Sequence, residues 1–465
     1  MAVQPVRRLL LVSTNYAPEQ AGIGPYATQI AEHWASDAAT EAHVLAGLPH
    51  YPAWRVDPAY RGVWRTVEDR AGVRVHRRRH TVPARQTAVR RALYEASILA
   101  HGLVAPPRTG GPVQAVLAQL PSLAGGLLGA RLARRHGAPF VPVVQDLMGA
   151  AAAQSGIRGG DRAAAVAAAV ERRVLRAATL TGVIHESFVD RVAAMGVPRE
   201  RIRLVPNWSH VPAPSRPRAQ TRRRLGWDDG RTVVLHSGNM GLKQGLDVLV
   251  DTARRDPGLR IVLMGDGNQH ARLRALAAGL PNVDFLPPAA DADFPDTLAA
   301  ADVLAVTQRA SVLDMSVPSK LTSYFATGRP VLASVADAGG TAEEVRRSGA
   351  GRLVPPEDPA AFAAAVRELA ADPDAADALG AHGPGYVASR LSRAAGLARI
   401  TDLLDEAVAA HAAGPARGAA GPATGPATGP ATGVEGTGGS TPGHPAVRSP
   451  GRAAGPGVPE KGASA

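Results

Sequence analysis

The chain has 465 residues, too many for one hydrophobic core, so two domains of about 200 residues each are expected. It contains no cysteine, which excludes disulfides, thiol catalysis and Cys-ligated zinc or iron–sulfur centres. With 45% hydrophobic but only 4% aromatic residues its cores must be made of Ala, Val and Leu, and a formal charge of +12 points to an anionic partner or to an arginine-rich coding bias.

At the N-terminus, Arg7 and Arg8 precede an apolar run too short for a secretory leader, which reads instead as a first strand of a cytoplasmic protein. No stretch reaches the roughly 18 consecutive apolar residues of a spanning helix. The best attempt, AVLAQLPSLAGGLLGARLA, is interrupted by Gln119 and Pro121. Strand-like runs then alternate with helical segments, the pattern of parallel sheets with crossover helices. In the first half the strands are RLLLVS, AHVLAG, GVRVHR, AVLAQL, PFVPVVQD, LTGVIHES and IRLVPN. In the second they are TVVLHSG, LRIVLMGDG, VDFLPP, DVLAVTQ, PVLASV and GRLVPP. The proline-rich, basic NWSHVPAPSRPRAQTRRRLG between them reads as a hinge linker. The expected domains are therefore 1–206 and 207–388, followed by a helix over 389–412 that crosses back. From 413 to 465 the GPATGPATGPATG repeat and its Gly/Pro/Ala surroundings predict a disordered tail. No nucleic-acid-binding module occurs, so no nucleic-acid partner is expected.

The loop after the first strand, STNYAPEQAGIGPYA, places Gly22 and Gly24 just before a helix that should begin near Pro25. GIGPYA fits a dinucleotide fingerprint only formally. Gly22 comes about nine residues after the strand, and AHVLAG ends without the acid that would bind a ribose. What remains is a phosphate wall built from backbone amides, or a simple turn.

The second half repeats the theme with a lysine added. LHSGNMGLKQG gives strand, glycine turn and Lys243, with Gly238, Asn239 and Gly241 permitting tight backbone geometry. LMGDGNQ places Gly265, Asp266 and Gly267 at another strand end, where open parallel sheets bind ligands. In SVPSKLTSYFATGRPVLAS, Ser319 and Lys320 sit at a helix start and Gly328 at its end. The chain writes positive charge almost wholly as arginine, with lysine only at 243, 320 and 461, so Lys243 and Lys320 read as places where a compact ammonium is wanted.

In this order these stretches, together with GLPHYPAWRVDPAYRG, VQDL and GVPRERIRLVPNW, resemble family-four retaining glycosyltransferases of the GT-B fold, of the capsule and colanic-acid type, over about residues 7–405. The resemblance implies an α/β protein of two facing Rossmann-like domains with an interdomain cleft, the acceptor on the N-terminal domain and a UDP- or GDP-sugar on the C-terminal one. It implies no cofactor and no metal. Carried over by position, Gly22 and Gly24 approach the donor phosphates, and Gly238, Asn239, Lys243, Ser319 and Lys320 hold the diphosphate. Gly265, Asp266, Gly267 and the Leu286–Pro288 segment line the nucleoside pocket. Asp146 is the candidate for the transferred sugar or acceptor hydroxyl, with a helix N-cap as its alternative, and His50 is a weaker acceptor-side candidate, with packing of its turn as the alternative.

One departure stands out. The position at which the family carries a ribose-binding glutamate is Ser323, and that of its earlier acid is Met315, beside Asp314. This leaves Ser323 as the donor contact and keeps open an inactive sugar-nucleotide-binding homologue. The basic stretch holding Arg77, Arg78, Arg79, Arg85, Arg90 and Arg91, followed by an apolar stripe, suits an anionic membrane surface and a lipid-linked glycan acceptor. A solvated basic face, and a soluble or phosphoinositol-type acceptor, are the alternatives.

Overall fold

The computed structural model describes residues 6–19, 22–84, 87–147, 160–209, 211–312 and 319–414. Asp314, Met315, Arg85 and nearly all of the tail over 413–465 therefore lie outside the described residues.

The first half forms an eight-stranded sheet in the order β3-β4-β2-β1-β5-β6-β7-β8. Its strands are β1 (Arg7–Val12), β2 (Thr40–Gly47), β3 (Arg65–Arg70), β4 (Val73–Arg78), β5 (Ala115–Leu120), β6 (Phe140–Val144), β7 (Thr181–Val183) and β8 (Ile202–Leu204). All pairs are parallel except β3 with β4. Leu9, Leu10, Leu11 and Val12 are buried one after another, because helices cover both faces of the sheet. The second half forms a six-stranded, wholly parallel sheet in the order β11-β10-β9-β12-β13-β14. These strands are β9 (Thr232–Ser237), β10 (Leu259–Met264), β11 (Val283–Leu286), β12 (Val303–Thr307), β13 (Val331–Ser334) and β14 (Gly351–Val354).

Strand β3 is the element the apolar runs do not announce. Its residues alternate between exposed and half-buried, and Arg65, Glu68, Asp69 and Arg70 load this sheet edge with charge, which blunts pairing with other chains. Ala71 and Gly72, both at positive φ, form the two-residue turn that returns it to β4.

The chain crosses between the halves twice, at adjacent points, and the Ser209 N–H donates to the Leu391 carbonyl at 2.9 Å. A helix over Pro373–Arg390 ends at Leu391, and a second over Arg393–Ala412 buries Leu397, Ile400, Leu403 and Leu404 in the core that also holds Leu9, Leu11 and Ile30. Trp208 is wedged beneath this helix; a Cβ on Gly396 would lie 2.2 Å from its ring. Its Nε1–H donates to Gln29 Oε1 at 2.6 Å, and its ring meets Tyr26 edge-on at 5.3 Å. The basic linker does not swing free. Asp296 accepts the Ser215 and Arg216 amides at 2.6 and 3.0 Å, Asp302 pairs with Arg218 and Arg222, and Asp293 pairs with Arg216 and Arg224. These contacts fasten the segment to the second half from Ser215 onward, leaving only the residues around Trp208 as the crossing.

Candidate active site

In the first sheet the strand order reverses between β1 and β5, and in the second between β9 and β12. Loops leaving the carboxyl ends of such strands frame a ligand crevice. The candidate residues of the sequence lie on these loops and on the helix that follows β12.

After β9 and β10 two turns stack backbone on backbone. Gly238 N–H donates to Met264 O at 2.8 Å, Met240 N–H to Asp266 O at 2.8 Å, and Gly265 N–H to Leu286 O at 3.0 Å. Gly265 sits at φ +139°, and a Cβ there would fall 2.0 Å from the Gly238 carbonyl oxygen, so this approach admits only glycine. Asp266 is exposed and its Oδ1 accepts the Gly267 amide at 2.7 Å, capping its own turn. Gly238 and Asn239 are left exposed at the rim.

The helix Lys320–Ala326 abuts that rim. Tyr324 Oη accepts the Ser237 amide at 2.7 Å and thereby locks the helix onto the end of β9. Lys320 Nζ lies 3.4 and 3.3 Å from the two ring nitrogens of His236, and 3.7 Å from where a Cβ on Gly238 would stand. Burial pushes the Lys320 ammonium down to about 7. Ser319 stands at the N-cap position without a side-chain capping bond and is exposed, whereas Ser323 is buried within the helix.

Lys243 rides on a single 3-10 turn, Leu242–Gln244. Arg309 holds that turn: its Nε–H donates to Leu242 O at 3.1 Å and its backbone amide to Lys243 O at 3.0 Å. The rest of its guanidinium pairs with Asp247 at 3.1 Å and Glu357 at 2.7 Å.

The first half meets this wall at two places. Asp146, just beyond β6, has its carboxyl raised by burial, while the charge of Lys243 and the Leu147 amide, 2.9 Å from Oδ1, pull it down. An N-terminal carboxylate and a C-terminal ammonium thus bear on each other across the cleft. Tyr26, in the first turn of the helix Gly24–Ala35, is buried with its hydroxyl beside Thr322 of the helix Lys320–Ala326. That contact brings the start of the helix Gly24–Ala35 against the helix Lys320–Ala326. On the hinge side, His185 faces Glu344 at 3.7 Å, and Arg347 pairs with Glu186 at 2.9 Å, so the two halves also touch there.

The loop holding Gly22 and Gly24 is fixed by Glu19, a residue the motifs did not single out. Its buried carboxylate accepts from Asn15 Nδ2 (2.9 Å) and from the amides of Tyr16 (3.2 Å), His50 (2.7 Å) and Tyr51 (2.8 Å). Gly22, at φ +65°, is overlaid by the Tyr51 ring.

Two expectations are corrected. His50 belongs to the interior: Nδ1 faces Leu48 O at 3.0 Å, Nε2 faces Tyr94 Oη at 3.2 Å, and Trp54 and His80 enclose the ring. Burial pushes its imidazole down to about 4, so it is a neutral packing group. Arg77 and Arg78 are likewise buried. Arg77 pairs with Glu68 at 3.1 Å and bonds to Ala17 O, and Arg78 spends its fork on the carbonyls of Arg77, Ala105 and Pro106, so neither reaches the surface.

Two family models match the two halves. One, described as a glycosyl transferase 4-like domain, spans residues 21–208, and one described as glycosyl transferases group 1 spans 231–372. The putative colanic acid biosynthesis glycosyl transferase WcaI of Escherichia coli K12 is 30% identical over 340 residues, covering 69% of this chain and 81% of that protein. The chain belongs to glycosyltransferase family 4. A sucrose-phosphate synthase from Thermosynechococcus elongatus superposes on this glycosyltransferase with a TM-score of 0.69 at 20% identity, over 87% of this chain and 100% of the other. Anabaena HepE, solved with UDP-glucose, does so with a TM-score of 0.62 at 18% identity, over 86% and 99%. The glycosyltransferase thus has the GT-B architecture that its motifs resemble. Among its described residues no helix is long and apolar enough to cross a membrane.

Proposed function

We propose that this glycosyltransferase moves a hexose-type sugar, with retention of anomeric configuration and without a metal, from a UDP- or GDP-sugar to a lipid-linked glycan of a surface polysaccharide. The observation that carries the reading is the convergence of Lys320, Gly238, Asn239 and the Lys243 turn on one rim, with Asp146 opposite. A departing nucleoside diphosphate gathers negative charge, and preorganised ammonium groups and amides stabilise it most where it develops. In this reading the anomeric carbon–oxygen bond to the diphosphate breaks and the acceptor hydroxyl oxygen takes its place. The hydroxyl proton leaves on the diphosphate, and Asp146 orients the hydroxyl.

The acceptor side of the proposal rests on the helix Ala88–Val104. Tyr94, Ile98 and Gly102 pack inward, while Val89, Leu93, Leu103 and Val104 are exposed, Val104 by 79%. Ala96 and Ala100 continue the outer stripe, Trp64 is exposed while its ring meets that of His101 at 4.4 Å, and Arg79, Arg90 and Arg108 rim it. An apolar stripe edged with arginine suits peripheral attachment to the anionic inner face of the plasma membrane, where a lipid-linked acceptor would lie.

The test is a thermal-shift panel of UDP, GDP, ADP and dTDP against the full chain and against Lys320→Ala, followed by turnover with the sugar of the stabilising base. A ligand at about a hundred times its Kd adds roughly 2.7 kcal/mol to the folded state. Stabilisation by one base, lost in the variant and followed by turnover, supports the transferase. Stabilisation without turnover favours the inactive homologue raised by Ser323.

A further inference from the structure

His236 is fully buried on β9, beneath the donor rim, and nothing in the reading above uses it. Its ring lies between the backbone of Asn239, in the exposed turn, and that of Ala305, on β12. Over this ring stands Lys320 Nζ, 3.3 Å from Nε2 and 3.4 Å from Nδ1, reaching across 84 residues of sequence. The ammonium also lies 3.7 Å from where a Cβ on Gly238 would stand, so the missing side chain leaves that approach clear. Ser323, one turn further along the helix, puts a neutral hydroxyl where the family's acid would be.

Lys320 is thus seated on an imidazole, and among the described residues no carboxylate pairs with it. The titratable group facing it from β9 is His236. Its own helix contributes Tyr324, whose hydroxyl is tied to Ser237, and the turn after β9 contributes neutral Asn239 and glycine backbone. Such a seat holds the side chain by shape and offers no anion to stabilise its charged form until one arrives.

We propose that His236 is a positioning residue that holds Lys320 as a proton-accepting clamp, so that docking of a nucleotide-sugar diphosphate is coupled to uptake of one proton by Lys320. The inference rests on the donor site proposed above. The Nζ lone pair accepts the proton from the buffer acid, the new ammonium meets a phosphate oxygen, and the buried site gains one positive charge against the donor's negative ones. Burial favours the neutral amine in the empty site, and an adjoining diphosphate reverses that preference. The two ionisations are consistent with this. Lys320 is pushed down to about 7 by burial, and His236 is held well below its ordinary value by burial and by the charge of Lys320, so it stays neutral beneath the lysine.

The experiment is isothermal titration calorimetry of the full chain with UDP-glucose, GDP-mannose, ADP-glucose and dTDP-glucose, in two buffers of different ionisation enthalpy. The diphosphate of these donors has no proton that titrates in the range used. For the donor that binds, the expected result is net proton uptake and an affinity that falls about tenfold between about pH 7 and about pH 8.5. Lys320→Arg, charged throughout, should bind without uptake and with a flat pH profile. His236→Gln should move the midpoint of the profile, whereas a purely structural role would lower affinity equally at every pH. Binding by the native chain with a buffer-independent enthalpy and a flat profile overturns the inference and leaves the donor site standing. Failure of all four nucleotide sugars to bind at any pH overturns the donor site and the clamp with it.

Discussion

The carboxylate of Glu19 accepts the His50 amide at 2.7 Å and lies 3.3 Å from the Nδ1 of the same residue. With Asn15, Tyr16 and Tyr51 also donating to it, this one buried side chain gathers the loop after β1 and the loop after β2 into a single rigid wall. Glu19→Gln would turn an amide donor toward other donors and leave buried N–H groups unpaired. The expected loss is about 2–4 kcal/mol, seen as a lower melting transition, with a raised donor KM as the Gly22 and Gly24 loop loosens. An unchanged melting curve would contradict this account of the wall.

Lys243 and Asp146 act on each other from opposite halves. If Lys243 holds the donor diphosphate as proposed, Lys243→Ala should weaken donor binding roughly ten- to a hundredfold, the equivalent of about 1.5–3 kcal/mol. The same change removes the charge that draws the Asp146 carboxyl downward, so its ionisation should move further up. If ionised Asp146 is needed for transfer, the acid limb of the pH–rate profile shifts to higher pH in Lys243→Ala. Asp146→Asn should abolish that limb and lower kcat while sparing nucleotide affinity. A pH–rate profile that keeps its acid limb in Asp146→Asn would remove Asp146 from the reaction.

The parallel strands were legible because strands covered on both faces read as unbroken apolar runs, as Leu9 to Val12 do. Strand β3 was not, since an edge strand carrying Arg65, Glu68 and Asp69 lacks that signal; only the Ala71-Gly72 turn marks it. At the site, the glycine turns, Lys243, Ser319 and Lys320 stand out because each is a local break in a strand–helix pattern. His236, Tyr324, Arg309, Glu19 and Tyr26 do not. Their parts arise from contacts such as Tyr324 with Ser237, 87 residues apart, which leave no trace in local spacing. Arg77 misled for the opposite reason: a run of arginines reads as surface, yet β4 turns this one inward onto Glu68 and the Gly47 and Ala17 carbonyls.

Arg309 illustrates how such a contact bears on function. Its planar fork binds Asp247, Glu357 and the Leu242 carbonyl at once, and only a guanidinium offers donors in that geometry. Arg309→Ala should release the Lys243 turn and raise donor KM about tenfold, with a smaller effect on kcat, in steady-state assays. Arg309→Lys should recover little, because a point charge cannot span three acceptors. Full recovery by lysine would mean that Arg309 contributes charge rather than geometry.

The outer face of the helix Ala88–Val104 offers a last test, because its apolar residues are far too exposed to serve the core. Leu93 is 56% and Val104 79% exposed, so exchanging them for acids costs the fold little. On an anionic bilayer the same exchange removes buried apolar area and adds repulsion, each unfavourable by about a kcal/mol per residue. Leu93→Glu combined with Val104→Glu should therefore abolish flotation with anionic liposomes and leave the melting temperature and nucleotide binding unchanged. Transfer to a lipid-linked acceptor in vesicles should fall with flotation, while transfer to a detergent-dispersed acceptor should not. If both transfers persist unchanged, the stripe is not how this glycosyltransferase reaches its acceptor, and a soluble acceptor becomes the better reading.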